Sequence, residues 1–263
     1  METQVKETER DALQDIEELL GVVPIPRVEK IVWNTFGFAA DHDGHVIGLG
    51  LYKQGLYTLP ESIGRLTSLQ TLYLHDNELI SLPESIGNLP SLREIRLYKN
   101  KLTTLPESIG QLKSLQISLL HLNKLTSLPD TIGNLNSITE LSLSDNLLTS
   151  LPSSIGQLSS LKTLSLYGNN LTSLPETIGN LSKLKRLYLN RNQLTSLPET
   201  MENLNSLIEL TVNENQLASL PNSFCNITSL KLLRIDSNKL SSLPDKLEEW
   251  ITGLKGSGCN VFM

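Results

Sequence analysis

The sequence predicts an α/β solenoid, a stack of one repeated unit with a helical cap at each end, and three observations predict it. A Leu-Pro pair recurs every 23 residues from Leu59 to Leu243 without a slip. An Asn recurs at the same spacing, and each unit holds one short apolar–polar alternation typical of a strand. A fixed period of this length indicates units that bury their apolar side chains only against their neighbours. We expect a cap over residues 1–45, repeats over 46–242 and a second cap over 243–263.

The amino-terminal cap is predicted to contain a helix over residues 3–20, where apolar side chains recur at helical spacing and Gly21 ends the pattern. Its opposite face, including Glu9, reads as a solvated acidic surface. The helix either closes the open end of the stack, which we favour, or binds a partner. Residues 28–33 then predict a strand, residues 34–44 a loop, and the repeats begin near Val46.

Each repeat divides into two halves with different physical requirements. The segment LQTLYLHDN alternates, with Leu72 and Leu74 inward and Tyr73 and His75 outward, so it predicts a strand. One strand per repeat gives a curved parallel sheet along the concave side. The half that begins with Leu-Pro is too short for an α-helix, so we expect extended chain or a single 3₁₀ turn on the convex side.

The Asn column after the strands predicts a structural hydrogen-bond ladder. Its side-chain amides can satisfy backbone groups that would otherwise be buried and unpaired where the chain leaves each strand. Its members are Asn77, Asn100, Asn123, Asn146, Asn169, Asn192, Asn215 and Asn238.

The last Leu-Pro pair does not begin a full repeat. We expect Asp245 to cap a helix with an apolar face that includes Leu247 and Trp250, followed by a closing edge strand over residues 259–263.

The repeat consensus LPxxIGxLxSLxxLxLxxNxLTS resembles the 23-residue leucine-rich repeat, as in intracellular Ras-associated, plant Ras-group and Roco-type proteins. The stretches Trp33–Phe38 and Asp43–Leu49 are similar to the amino-terminal cap of plant-type repeat proteins, but the cysteine pair of that cap is missing. The resemblance implies a protein-binding scaffold that uses its concave face. By resemblance alone, small GTPases or their regulators are the partner class.

Composition limits the partner classes and the cellular location that we expect. A net charge of −6 without a basic stripe argues against nucleic acid or an anionic membrane as the partner. No apolar run suits a signal peptide or a bilayer span, so we expect a cytoplasmic monomer. Cys225 and Cys259 do not make a disulfide framework.

The sequence also argues against catalysis. The cluster around Asp41–His45 fails as a calcium loop because its twelfth position is Tyr52 rather than Glu, and it is a loose tract for a transition metal. His75 and His121 lie two repeats apart, too far for joint chemistry. We therefore expect no enzyme, no cofactor and no metal site.

The concave face can be read in rows, because the period fixes which side chains are neighbours. Tyr and Arg often carry binding energy at interfaces, although stacked rings can equally stabilise neighbouring strands. The candidate partner-binding residues are Tyr52, Tyr73, His75, Arg96, Tyr98, Ile117, Leu119, His121, Leu122, Tyr167, Tyr188 and Arg191.

The third repeat differs from the other repeats, since Ser118 occupies a position that is Leu or Ile in each of them. If the register holds, Ile117, Leu119 and Leu122 point outward as an apolar patch; the alternative is a local slip that buries Leu119. We expect a scaffold or adaptor that binds a folded protein there. The other hypothesis is a receptor-like or secreted effector domain that binds a peptide, a glycan or a host protein.

Overall fold

The computed structural model describes residues 4–21 and 24–263, which form one continuous sheet with a helix at each end. The predicted fold class is confirmed. The helices are α1, Glu7–Leu20, and α2, Asp245–Gly256. The strands are β1 Phe36–Ala40, β2 Val46–Leu51, β3 Thr71–Tyr73, β4 Glu94–Arg96, β5 Ile117–Leu119, β6 Glu140–Ser142, β7 Thr163–Ser165, β8 Arg186–Tyr188, β9 Glu209–Thr211, β10 Leu232–Arg234 and β11 Asn260–Phe262.

Strand order in the sheet follows the sequence from β1 to β11. β1 pairs antiparallel with β2, and every later pairing is parallel. From β2 to β10 the equivalent residues of successive repeats lie side by side. One 3₁₀ turn per repeat, from Glu61–Arg65 to Asn222–Asn226, forms the opposite layer. The expected 3₁₀ turns are therefore present on the convex side.

The core is a column of Leu and Ile side chains between these two layers. In the first full repeat Ile63, Leu66, Leu69, Leu72 and Leu74 are all fully buried, and later repeats follow the same pattern. Each such side chain stabilises the fold by about 1.5–3 kcal/mol through burial. The turns pack so closely that a Cβ added to Gly156 would lie 2.3 Å from the carbonyl oxygen of Thr177 in the next repeat.

The Asn side chains join neighbouring repeats by hydrogen bonds. Asn100 donates from Nδ2 to the carbonyls of Leu74 and Leu97 and accepts from the amide of Leu79, at 2.9–3.0 Å. The same pattern recurs up to Asn238. Because these groups are buried where the strands end, each Asn satisfies backbone atoms that water cannot reach.

The amino-terminal cap differs from expectation in one strand. The predicted strand over residues 28–33 is wrong: within that segment the chain turns at Trp33–Asn34, and the strand is β1, in the expected loop. The turn is fixed by Thr35, whose Oγ1 accepts from the Val32 amide at 2.8 Å and whose amide donates to the Val32 carbonyl. β1 can then pair with β2 along its whole length.

α1 closes the first end of the core, with Ala12, Leu13 and Ile16 buried and Gly21 in the left-handed conformation at its end. Glu9 is not on a solvated face as expected, because it is 3% exposed. It accepts the Val46 amide at 2.6 Å and a bond from His45 Nδ1 at 3.1 Å. Residues 1–3 and 22–23 of the predicted cap lie outside the described residues.

α2 closes the other end, and Leu247, Trp250, Ile251 and Leu254 are buried as predicted. Asp245 does not cap it: Pro244 occupies the cap position, no side chain bonds there, and Asp245 lies in the first turn. The expected edge strand is β11, which pairs parallel with β10. In the described parts of the chain, no helix has both the length and the apolar character needed to cross a bilayer.

Candidate protein-binding surface

The register of the sheet holds through the irregular third repeat. Ser118 lies beside Ile95 on one side and Leu141 on the other, and it is 3% exposed. Ile117 and Leu119 flank it on the concave face and are partly exposed. The slip that would bury Leu119 therefore does not occur.

Rings line the first part of the concave face in one stacked row. Trp33 contacts Tyr52 edge-on at a ring-centre distance of 6.0 Å. Tyr52, His75 and Tyr98 follow at 4.8 and 4.4 Å, and His121 stacks on Tyr98 at 4.5 Å with only 6° between the planes. Since equivalent positions of parallel strands are about 4.8 Å apart, the repeat spacing itself produces this stack.

His75 is enclosed in the row rather than exposed as predicted. It has no accessible surface, and neither ring nitrogen has a hydrogen-bond partner among the described residues. Burial, and then the nearby Arg96 cation, lower the pKa of His75 to about 4, although the Trp33 backbone acts in the opposite direction. His75 is therefore a neutral ring at physiological pH and cannot contact a partner directly.

Tyr73 is also covered, at 6% exposure, and packs against Ile31 and Ala39 of the amino-terminal cap. The Arg96 guanidinium lies over its ring at 4.3 Å, while Arg96 Nε bonds to Glu94 at 2.7 Å. Burial, and then the Glu94 charge, raise the pKa of Tyr73. In this group Arg96 and Glu94 keep part of their surface accessible.

Leu122 extends the surface of β5 and is 41% exposed. It stands directly before Asn123, at a position that has positive φ in every repeat; its own φ is 59°. That conformation costs a residue with a Cβ about 1–2 kcal/mol relative to the right-handed region. The chain therefore keeps an exposed leucine at a place that favours Gly, Asn or Asp.

The candidates of the second part of the face are held by hydrogen bonds within the protein. Arg191 donates to the Tyr167 hydroxyl at 2.6 Å and to Glu214 at 2.8 Å. The Tyr188 hydroxyl donates to Glu209 at 2.6 Å, and burial, followed by this bond, raises the pKa of Tyr188 to about 12.

The structure brings the remaining candidates together at the start of the sheet and adds one. Trp33, 57% exposed, begins the ring row from the turn before β1. It precedes the repeats, so an alignment of repeat positions does not include it. We define the aromatic–leucine surface as Trp33, Tyr52, Tyr98, Ile117, Leu119, His121 and Leu122.

The polar cluster of the cap is a structural turn. Asp41 Oδ1 accepts the amides of Asp43 and His45, both at 2.9 Å, and the bond from His45 is the main cause that lowers the pKa of Asp41. His45 is bonded to Glu9. Among the described residues no three His, Cys, Asp or Glu side chains are grouped to hold a metal ion.

The comparison with protein families agrees with this geometry. The family model described as leucine-rich repeat region matches residues 45–117 and 141–249, more than half of the 263 residues. The chain is a leucine-rich-repeat protein. The interval between the two matched segments contains Ser118, where the sequence departs from the repeat consensus. As a leucine-rich-repeat protein, the chain has the architecture of a protein-interaction module.

Solved leucine-rich-repeat structures show what the protein is similar to. A Leptospira interrogans leucine-rich-repeat protein is 39% identical over 78% of this chain and 57% of its own, with a TM-score of 0.61. The plant peptide hormone receptor RGFR1, in complex with RGF2, is 32% identical over 76% and 33%, with a TM-score of 0.65. The PEPR1–AtPEP1 complex contains a chain that is 30% identical over 96% of this chain and 41% of its own, with a TM-score of 0.77.

This leucine-rich-repeat protein thus spans less than two thirds of the length of each of these chains. Among curated proteins, no sequence matches it.

Proposed function

We propose that this protein is a non-catalytic binding module that captures a folded protein partner on its aromatic–leucine surface. The observation that carries the proposal is that large apolar side chains remain exposed at both ends of one continuous row, Trp33 at 57% and Leu122 at 41%. Soluble proteins seldom expose contiguous apolar side chains without a contact to cover them.

The size of the row supports a folded partner. Four strand spacings separate its ends, about 20 Å, which suits the roughly 800 Å² per partner of a standard protein interface. The rings of His75, Tyr98 and His121 cover one another's faces, and those of Tyr98 and His121 present their edges to the partner side.

The identity of residue 122 supports the same interpretation. Its left-handed conformation belongs to the repeat, because every repeat has positive φ at this position. The other repeats have Lys, Asp, Gly, Arg, Glu or Ser there, whereas Leu122 is apolar and 41% exposed. A partner that covers Leu122 gives that leucine a role.

A pull-down tests the proposal directly. Wild-type protein and the double variant Tyr98→Ala/Leu119→Asp are compared as baits in extract of the native cell. We expect the wild type to retain a partner and the variant to lose it, and thermal unfolding verifies that the variant is still folded although it lacks the Tyr98 ring. Equal capture by both baits contradicts the proposal.

The finer assignment that we propose is a small GTPase or its regulator, in the cytoplasm. The absence of the usual cysteine pair from the cap supports its cytoplasmic part. Capture that depends on whether GTP or GDP is added, together with recovery of the protein in the cytosolic fraction, is the expected result. Indifference to the nucleotide, or recovery outside the cytosol, contradicts this assignment.

A second candidate is peptide recognition, which the complexes of RGFR1 with RGF2 and of PEPR1 with AtPEP1 favour. The two functions differ in what the partner must be. A captured partner is digested and its fragments are offered to the bait. Retention of a short fragment at undiminished affinity identifies peptide recognition, and retention of the intact folded partner alone identifies the first function.

A further inference from the structure

Cations cluster on the protein where β7 and β8 begin, beyond the end of the ring row. Lys162, Lys183, Lys185 and Arg186 are all exposed. The Lys185 amide donates to the Lys162 carbonyl at 2.8 Å, so these lysines lie on neighbouring strands. We name these four side chains the basic cluster.

None of the four cations has a carboxylate partner within ion-pair distance in the part of the chain that is described. Arg186 is instead bonded by Nε and Nη2 to the Thr163 hydroxyl, at 3.1 and 2.9 Å. The carboxylate of Glu209, beside Arg186 in the sheet, accepts the Tyr188 hydroxyl through one oxygen and keeps its negative charge. The positive charge that is left to solvent is therefore mainly that of the three lysines.

We propose that the basic cluster binds an acidic segment of the protein partner. Four unpaired positive charges on a chain of net charge −6 form a local complement to carboxylates, and such a patch both steers encounter and fixes register. The proposal rests on the proposed function in so far as the partner is a protein.

The position of the cluster suits one partner that covers both surfaces. β8 lies three strands from β5, about 14 Å along the same sheet, so an acidic segment can contact the cluster while apolar side chains cover Leu119 and Leu122. A nucleic acid fits less well, because the cluster spans only two strands and holds no ring on which a base could stack.

The test uses the intact protein and a short fluorescent peptide of alternating Glu and Ser, with a Gln-Ser peptide as the uncharged control. The first variant is Lys162→Gln/Lys185→Gln/Arg186→Gln. The matched variant, Lys113→Gln/Lys124→Gln/Lys239→Gln, removes the same charge from exposed residues elsewhere. Fluorescence anisotropy gives the affinities, and thermal unfolding verifies that both variants are folded.

We expect the wild type to bind the acidic peptide at low salt and to lose affinity as salt approaches about 150 mM. The first variant is expected to bind at least about tenfold more weakly, while the matched variant stays within about twofold. Equal losses in both variants, binding of the Gln-Ser peptide, or tighter binding of a single-stranded oligonucleotide overturns the proposal. Because no native partner is used, these results do not depend on capture at the aromatic–leucine surface.

Discussion

The two parts of the concave face are built on the same backbone and differ in how their side chains are satisfied. From β2 to β5 most side chains contact one another through rings and aliphatic groups, with a few polar pairs such as Arg96 with Glu94 and His121 with Ser142. From β6 to β10 they form hydrogen bonds and ion pairs within the protein, such as Arg191 with Tyr167 and Glu214. A partner on the second part has to replace bonds that already exist, whereas a partner on the first part mainly removes water from apolar groups.

The Asn ladder is common to both parts, so it should not distinguish them. Asn100→Ala in the first part and Asn192→Ala in the second each remove three buried hydrogen bonds. We expect each change to lower the free energy of unfolding by about 3 kcal/mol, because backbone groups remain buried and unpaired. Urea unfolding measures both, and a large inequality would show that the two parts differ in their scaffold as well as in their surface.

His75 should give the first part its own pH dependence. Its folded pKa of about 4 lies below the ordinary value of 6.5, so the unfolded chain takes up the proton first as the pH falls. Stability is then full above pH 6.5 and is lost between about pH 6.5 and 4, by about 2–3 kcal/mol at most. His75→Phe keeps a ring between Tyr52 and Tyr98 and should remove this part of the loss.

Urea unfolding of wild type and His75→Phe at pH 7 and near pH 4 is the measurement. The variant is expected to be as stable as the wild type or more so at pH 7, since it no longer buries two unpaired nitrogens. Identical pH dependence in both proteins would contradict the enclosed position of His75.

Removal of one hydroxyl should distinguish Tyr188 in the second part from Tyr52 in the first. Tyr188→Phe breaks a bond to Glu209 and should cost about 1 kcal/mol. Tyr52→Phe, whose structural contacts are ring contacts, should change stability by less than about 0.5 kcal/mol. Thermal unfolding compares them, and equal losses would mean that the first part is also held by hydrogen bonds.

The period of the sequence was sufficient for the repeat strands, the turns and the Asn column, because each repeat imposes its spacing on the next. It left the register at Ser118 open, and the pairing of Ser118 with Ile95 and Leu141 decides it. The period did not predict which concave-face side chains are buried by their neighbours. Alternation places His75 on the concave face, but only the rings of Tyr52 and Tyr98 decide that it is buried.

Irregular segments were predicted least well. Residues 28–33 are apolar and β-branched enough to suggest a strand, yet the bonds of Thr35 to Val32 turn the chain and move the strand to β1. Glu9 reads as a surface residue because helical spacing shows which face it is on, not that the Val46 amide lies opposite. Such long-range bonds leave no local pattern.

The most direct test of the account measures the affinity for the partner recovered in the pull-down. Trp33→Ala/Leu122→Asp changes the exposed ends of the first part, and Tyr167→Ala/Arg191→Ala is the matched change in the second. Because exposed Trp and Leu anchors at an interface can each contribute about 2 kcal/mol, we expect the first variant to weaken binding by about a hundredfold or more. The second variant should stay within about fivefold of the wild type. The opposite order, or equal losses, would contradict the assignment of the binding surface to β2–β5.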